Sequence, residues 1–215
     1  MTDLWSGRAA AYRESATHRE GADLDLLVEW CEPAEGVTAL DVATGGGHVA
    51  RRLRERGAKV VTVDAAPGMQ PDVVSRSEEL PFADASFDVV ACRIAAHHFH
   101  DVVAAIRETA RVARDRVVIE DNLFFDEASE EADRLRDPSH VRNYAHAEWQ
   151  VMLDAAGLRI DAEQRFDRRV PLQPWLDRAG CSSEAAAEVV ELLGHRVADD
   201  TVQIASLVIR GRKAG

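Results

Sequence analysis

Apolar residues come in two rhythms along this chain. Short, largely apolar runs over 37–42, 59–63, 87–92 and 117–120 predict buried strands. Between them the apolar positions fall three or four apart, the spacing of one helix face. Leu24, Leu27, Val28 and Cys31 have it within a helical region over 4–31. Val49 and Leu53 have it in 48–56, and Val103, Ile106 and Ala110 in 102–112. Asp126 predicts the cap of a charged helix that runs to Arg136 and is broken by Asp137-Pro138. A further helix spans 147–156, and Gly57 and Gly157 end two helices as C′ residues. Residues 72–75 read as a short third strand, 158–170 as a sixth and 201–209 as the last, with a frayed tail over 210–215. The segment 65–71 is too short and too rich in Pro and Gly for a helix. An insertion over 171–194 places Ala186, Val189, Val190 and Leu193 at helical spacing. Packing on the sheet is its default reading, ahead of covering a site or forming a dimer seam.

Strands alternating with helices predict an α/β fold with a mostly parallel sheet and helices on both faces. The 215 residues suit one domain, and 46% hydrophobic with 30% charged residues is the composition of a soluble globular protein. The net charge of −12 repels phosphate backbones, so a nucleic-acid substrate is not expected. No apolar run reaches the ~20 residues that span a bilayer, and the first residues lack a basic segment followed by an apolar core. Cys31, Cys92 and Cys181 show neither metal spacing nor a disulfide framework, which points to a reduced cytoplasm.

The chemistry concentrates where the first strand meets its helix, at Asp41-Val42-Ala43-Thr44-Gly45-Gly46-Gly47-His48. A strand that turns sharply into a helix presents free backbone N–H groups, and glycine lets a ligand approach them. Gly45-x-Gly47-x-x-Ala50, followed by Asp64, fits a dinucleotide fingerprint. Asp41, inside the strand, does not belong to that pattern. Asp-x-Ala-x-Gly-x-Gly resembles motif I of the class I S-adenosylmethionine (SAM) methyltransferases, whose usual form has glycine where Ala43 stands. Ser77-Glu78-Glu79-Leu80-Pro81-Phe82, then Ser86-Phe87-Asp88, resembles a second block of that family. Tyr12-x-x-Ser15-x-x-His18-x-x-Gly21-x-Asp23, His97-His98-Phe99 and Arg136-Asp137-Pro138-Ser139-His140-Val141-Arg142-Asn143-Tyr144 resemble the branch of the ubiquinone and menaquinone C-methyltransferases.

The resemblance implies a Rossmann-like seven-stranded sheet, SAM as cofactor and S-adenosylhomocysteine (SAH) as product. It implies cofactor contacts from Asp41, Ala43, Thr44, Gly45 and Gly47, from Asp64 and Ala65, from Ser77 and Glu78, and from Arg93 and His98. It also implies that residues 1–32 form a cap over the cofactor. Tyr12, His18 and His140 are the candidate catalytic residues, with Arg142 and Tyr144 beside them. Histidine suits a base because its ordinary pKa is ~6.5. The histidines after the fourth strand read as structural or solvent-facing rather than as metal ligands, and no metal is expected. The expected acceptor is a small molecule and the expected assembly a monomer or homodimer. A catalytically silent SAM-fold binding protein and an NAD(P)-dependent oxidoreductase remain open as alternatives.

Overall fold

The computed structural model describes residues 2–213. Met1 and the last two positions of the expected tail lie outside them. The parallel half of the sheet holds β1 (Thr38–Val42), β2 (Lys59–Asp64), β3 (Val73–Val74), β4 (Phe87–Arg93) and β5 (Ala113–Asn122). The other half adds β6 (Leu158–Pro171) and, after the two-residue β7 (Val197–Ala198), β8 (Thr201–Lys213). The order is β3-β2-β1-β4-β5-β8-β6, with β7 paired only to β8. β8 lies antiparallel between β5 and β6. The chain leaves β1 for β2 on one side and later returns to β4 on the other. That reversal opens a crevice beyond the carboxyl ends of β1 and β4, where ligands of such sheets bind.

Alternation along each strand feeds two packed layers. Leu40, Val42, Val90, Cys92, Ile119 and Ile209 face α5 (Val102–Val112) and α7 (His146–Ala155). Ala39, Val89, Ala91, Val118 and Val208 face α3 (Ala22–Trp30) and α4 (His48–Glu55). On α5 the buried face is Val102, Ala105, Ile106 and Ala110, while Val103 points outward. Asp41 shares the face of Ala39, beneath the start of α4, and that position gives it its task below.

Several expected boundaries move. The helical region over 4–31 is three helices: α1 (Thr2–Glu14), α2 (Ala16–Arg19) and α3. Gly21, with φ 147, is the break before α3, in a backbone region that only glycine visits readily. β5 begins at Ala113, ahead of the expected 117, and residues 210–213 belong to β8 rather than to a frayed tail. Both extensions are held by the antiparallel pairing of Arg116 with Arg212 and of Arg159 with Arg212. The insertion contains α8 (Leu172–Ala179) and α9 (Ser183–Leu193). They pack with α6 (Glu127–Arg136) around Trp175, Leu176, Val189 and Leu193, past the end of the sheet. Where a helix would ordinarily follow β2 there is only a 3-10 turn, Pro67–Met69. α1 settles on it instead: Ser6 Oγ accepts from Gly68 N at 3.0 Å and Arg13 donates to Gly68 O at 2.9 Å. A Cβ on Gly68 would lie 2.5 Å from the Ser6 backbone, so that contact requires glycine. No helix among the described residues is long and apolar enough to cross a membrane.

Candidate functional site

The crevice is a cavity of about 370 Å³ between the carboxyl ends of β1, β2 and β4 and a roof made of α1, α2, α6 and α8. Its floor is the turn that leaves β1. Ala43 (φ 53), Gly45 (φ 50) and Gly47 (φ 74) are all left-handed, which swings the chain into α4 within a few residues. α4 has no side-chain cap of its own, because Gly47 stands at its N-cap. Asp41 replaces it from the strand below: its Oδ2 accepts from Ala50 N at 3.1 Å and from the Thr44 hydroxyl at 2.6 Å. Burial pushes the Asp41 carboxyl up to about 6, against the pull of those two hydrogen bonds.

Asp64, at the end of β2, ties the floor together. One oxygen accepts from Gly45 N and the other from Ala66 N, each at 2.9 Å. Each oxygen keeps a further lone pair for a ligand. Burial raises its pKa, and the two amides oppose that rise. Ser77 is buried at the cavity wall, and among the described residues its hydroxyl has no partner. The Glu78 carboxylate reaches back instead, accepting from His100 N at 3.1 Å and Arg76 at 3.2 Å. It anchors the approach to α5 while still bordering the cavity.

Arg93 ends β4 in a buried lattice. It donates to Glu120 at 2.6 Å, to Asp23 at 3.0 Å and to His18 O at 2.9 Å. Arg168 of β6 bonds Asp23 as well. Burial drives the Glu120 carboxyl up to about 8, while a hydrogen bond with that carboxyl and then the two guanidiniums hold Asp23 below the usual carboxylate range despite its burial. Beyond Arg93, His97 is oriented by Asp121, which accepts from His97 N at 2.9 Å and from Nδ1 at 2.5 Å. Burial lowers the His97 pKa, but the Asp121 carboxylate outweighs it and the net shift is upward. The adjacent His98 is pushed well below 6.5 by burial and by the charge of His97. Its ring packs edge-on against Trp5 at 4.6 Å.

The roof meets the floor at Gly46. A Cβ there would stand 2.8 Å from His48 Nε2 and 2.9 Å from Tyr12 O. His48 Nε2 donates to that same carbonyl at 3.0 Å and latches α1 over the glycine turn. Arg8 secures the far end of α1 by an ion pair to Asp137 at 3.0 Å. His18 lies under this lid, its pKa well below 6.5 through burial and the charges of Arg178 and Arg93, so the ring is neutral. Arg178 Nη1 meets His18 Nδ1 at 3.1 Å and Ser15 Oγ meets it at 2.8 Å. A guanidinium only donates, which makes Nδ1 an acceptor and assigns the proton to Nε2.

The sequence-predicted residues therefore divide. Tyr12, His18, Asp41, Ala43, Thr44, Gly45, Asp64, Ala65, Ser77, Glu78, Arg93 and His98 all line the cavity. Gly47 and His140 are absent from its wall. Gly47 acts through its backbone shape at the start of α4. His140 stands behind the other histidines, 5.5 Å from His97 between ring centroids, and its Nε2 meets Glu130 at 3.2 Å. It is a buried structural histidine rather than a base above a ligand. Arg142 pairs with Glu148 at 2.7 Å, and Tyr144 sits in the core. Glu130, Asp133 and His140 bring their oxygen and nitrogen atoms within 4.8 Å of one another, but Glu130 is already engaged by His140 and by Asn143 N at 3.0 Å.

The sequence did not single out Trp5, His48, Arg136, Arg168, Trp175 and Arg178 as parts of the wall, whereas His97 lines it within the His97-His98-Phe99 motif. Trp175 and Arg178 come from α8, and the signal was the amphipathic insertion, which both packs and covers. Arg136 belonged to a quoted motif without being singled out.

The model of a methyltransferase domain family matches residues 40–119. The chain is 33% identical to YcgJ of Bacillus subtilis, an uncharacterized methyltransferase, over 89% of this chain and 84% of that one. The crystal structure of YcgJ superposes with a TM-score of 0.82 at 28% identity, covering 90% of this chain and 98% of the other. A putative methyltransferase from Bacillus halodurans superposes with a TM-score of 0.81 at 26% identity, over 91% of this chain and all (100%) of its own. A demethylmenaquinone methyltransferase of Corynebacterium kroppenstedtii is 34% identical over 39% of this chain and 40% of its own length.

Proposed function

The chain belongs to the class I SAM-dependent methyltransferases, and from that premise we propose that it binds SAM on the floor of the cavity and methylates a small molecule held under the roof. We take it as one catalytic domain over 1–215, with residues 1–32 as a cap and 171–194 as a second lid. The observation that carries the reading is Asp64: a half-buried carboxylate that shapes the glycine turn through Gly45 N and still opens onto the cavity.

The residues present fit the cofactor. Asp64 has lone pairs left for the ribose hydroxyls, the Ser77 hydroxyl is available to the adenine edge, and the Gly45 turn and Thr44 border the methionine portion. When bound, SAM supplies a methyl group already activated by its sulfonium. What the chain adds is position and dryness. α1 latched to the floor through His48 encloses the acceptor and excludes water. Such positioning is worth roughly 7–11 kcal/mol.

A base, where the acceptor needs one, adds ~10²–10⁴-fold. His18 carries its proton on Nε2 and offers no free acceptor nitrogen. His97 does once its ring is neutral, at a pH above its raised pKa: Asp121 then holds the proton on Nδ1 and Nε2 is left to receive one. The proton-accepting role expected of His18 or His140 thus passes to His97.

Calorimetry with SAM and with SAH tests the reading, with dissociation constants expected near micromolar, or ~8 kcal/mol. A chain that binds neither ligand is not a SAM enzyme. A chain that binds both but transfers no radiolabelled methyl to any phenol, amine or carboxylate is a binding protein on this scaffold.

A further inference from the structure

The roof of the cavity carries more positive charge than the carboxylates around it neutralise. Arg93 and Arg168 share Asp23 and the Glu120 carboxyl, and Glu120, driven up to about 8 by burial, adds little negative charge near neutral pH. Arg136 stacks on the Trp175 indole at 4.0 Å and donates to Trp175 O at 3.3 Å, while its Nε stands 3.6 Å from Asp133 and makes no hydrogen bond. Arg178 has no carboxylate partner among the described residues; it contacts only the neutral Ser15 hydroxyl and His18 Nδ1, each at 3.1 Å. Its pKa is lowered, first by burial and then by the charges of Arg136 and Arg168. A guanidinium withdrawn from water without a counter-charge is unfavourable, and a second guanidinium beside it makes it more so. Arginine offers a planar fork of donors that matches an oxyanion bidentately. The Tyr12 phenol also lines this end of the cavity, and among the described residues its hydroxyl has no partner. Burial raises its pKa, and the charges of Arg136 and Arg178 oppose that rise.

We propose that the methyl acceptor is an organic acid whose carboxylate seats against Arg178 and Arg136, beside Trp175 and the Tyr12 hydroxyl. This rests on the methyltransferase reading above and narrows its acceptor to one class. A chain of net charge −12 attracts no anion to its surface at large, so the selection is local to this cavity. The carboxylate anchors the acceptor and leaves the nucleophilic atom elsewhere on it free for methylation.

The same chemistry could come from the amino-acid carboxylate of the cofactor, and the test separates the two sources. Full-length protein is first titrated with SAH by calorimetry. The SAH-saturated protein is then titrated with benzoate, with inorganic sulfate and with neutral benzamide. Benzoate and sulfate are expected to bind saturably and benzamide not. Arg178→Gln and Arg136→Gln should each weaken benzoate about tenfold or more, with SAH affinity held within about twofold, and Arg178→Lys should recover part of the loss. Arg178→Lys also controls for folding, since it keeps the stem and the charge. Equal binding of benzoate and benzamide overturns the proposal, as does absence of anion binding by the SAH-saturated wild type. A parallel loss of SAH affinity in Arg178→Gln assigns the guanidinium to the cofactor instead and overturns it too. Wild-type protein that binds no SAH fails at the first titration. That failure belongs to the methyltransferase reading and takes this proposal with it.

Discussion

At the floor of the cavity the ionisable side chains held by β1 and β2 are carboxylates, Asp41 and Asp64, bonded to backbone amides within the same turns. At its roof they are guanidiniums, Arg136, Arg168 and Arg178, carried by α6, β6 and α8. The floor is made of one strand-turn-helix unit and the strand beside it, so its parts are close in sequence and their spacing is fixed by backbone geometry. The roof is assembled from elements remote in sequence that meet only after the sheet has formed. One end suits a cationic cofactor and the other an anionic partner. The two halves touch at the Gly46–Tyr12 approach, and variants there and on the floor break or sharpen the contrast.

The largest effect is expected at that contact. Gly46→Val places branched carbon where Tyr12 O and His48 Nε2 already stand within 2.9 Å of a Cβ, so the cap must lift. An opened cap misplaces the acceptor and admits water, and about 10²-fold or more of methyl transfer should be lost. SAH affinity should fall far less, since the ribose end of the floor is untouched. If transfer and SAH binding fall by the same factor, floor and roof are not separable in this way.

The next effect isolates the stress inside the floor. A carboxyl whose folded pKa is raised destabilises the fold once it ionises, and the penalty vanishes as pH falls below that pKa toward the unfolded value. Asp41, raised from 3.8 to about 6, should cost up to ~2–3 kcal/mol at neutral pH and little near pH 4. Asp41→Asn removes the charge and keeps a side-chain oxygen for Ala50 N. Its stability relative to the wild type, measured by urea unfolding, should therefore rise with pH across the window from about 4 to 6. A difference that stays flat with pH refutes the assignment.

Asp64 comes third. Asp64→Ala should weaken SAM and SAH by roughly 1.5–3 kcal/mol, the worth of hydrogen bonds to a charged group. The turn also loses two acceptors, for Gly45 N and Ala66 N, so stability should drop as well, by about 1 kcal/mol or more. An exposed strand-end Asp would leave folding intact. Asp64→Asn separates the two roles by keeping an oxygen for the turn. Unchanged SAH affinity in both variants leaves Asp64 a turn-maker only.

The same contrast explains what was legible before the structure. The succession of strands along the chain follows from apolar runs and the glycine turn from its residue types, while the sheet they build was implied by the family resemblance. α5 lies where the apolar spacing placed it, and in the structure Asp101 caps it, accepting from Ala104 N at 2.9 Å. The division of the N-terminal helices was hidden, since Ser15 and Gly21 interrupt a sequence otherwise compatible with one helix. The roof was hidden for a different reason: no periodicity says that Arg178 will meet His18, a residue 160 positions away. Nor does a His-His pair reveal which ring will find Asp121. His140 was misplaced because following a strand's carboxyl end fixes a segment's side of the sheet and not the direction of its side chains; Glu130 takes that ring away from the cavity.

The smallest effect concerns the one floor position where this chain departs from the usual motif. Ala43 has φ 53, a left-handed conformation in which a Cβ crowds the following carbonyl at ~1–2 kcal/mol. Ala43→Gly removes that crowding but gives the unfolded chain more freedom to lose, which offsets ~0.4–1 kcal/mol. The net should be a gain of at most ~1.5 kcal/mol, a rise of roughly 3–6 °C at most in Tm for a chain of this size. Ala43 lines the cavity, so the methyl group also occupies space beside the cofactor's expected position, and its removal should leave SAH affinity unchanged or slightly improved. The mirror experiment is Gly45→Ala, where φ 50 forces the same crowding onto a residue that now avoids it, with nothing closer than 3.9 Å to block the new Cβ. Gly45→Ala should lose about what Ala43→Gly gains before the entropy offset. If Ala43→Gly lowers Tm while Gly45→Ala does not, the left-handed strain of this turn is not what sets its stability, and the Asp41 and Asp64 hydrogen bonds carry the turn alone.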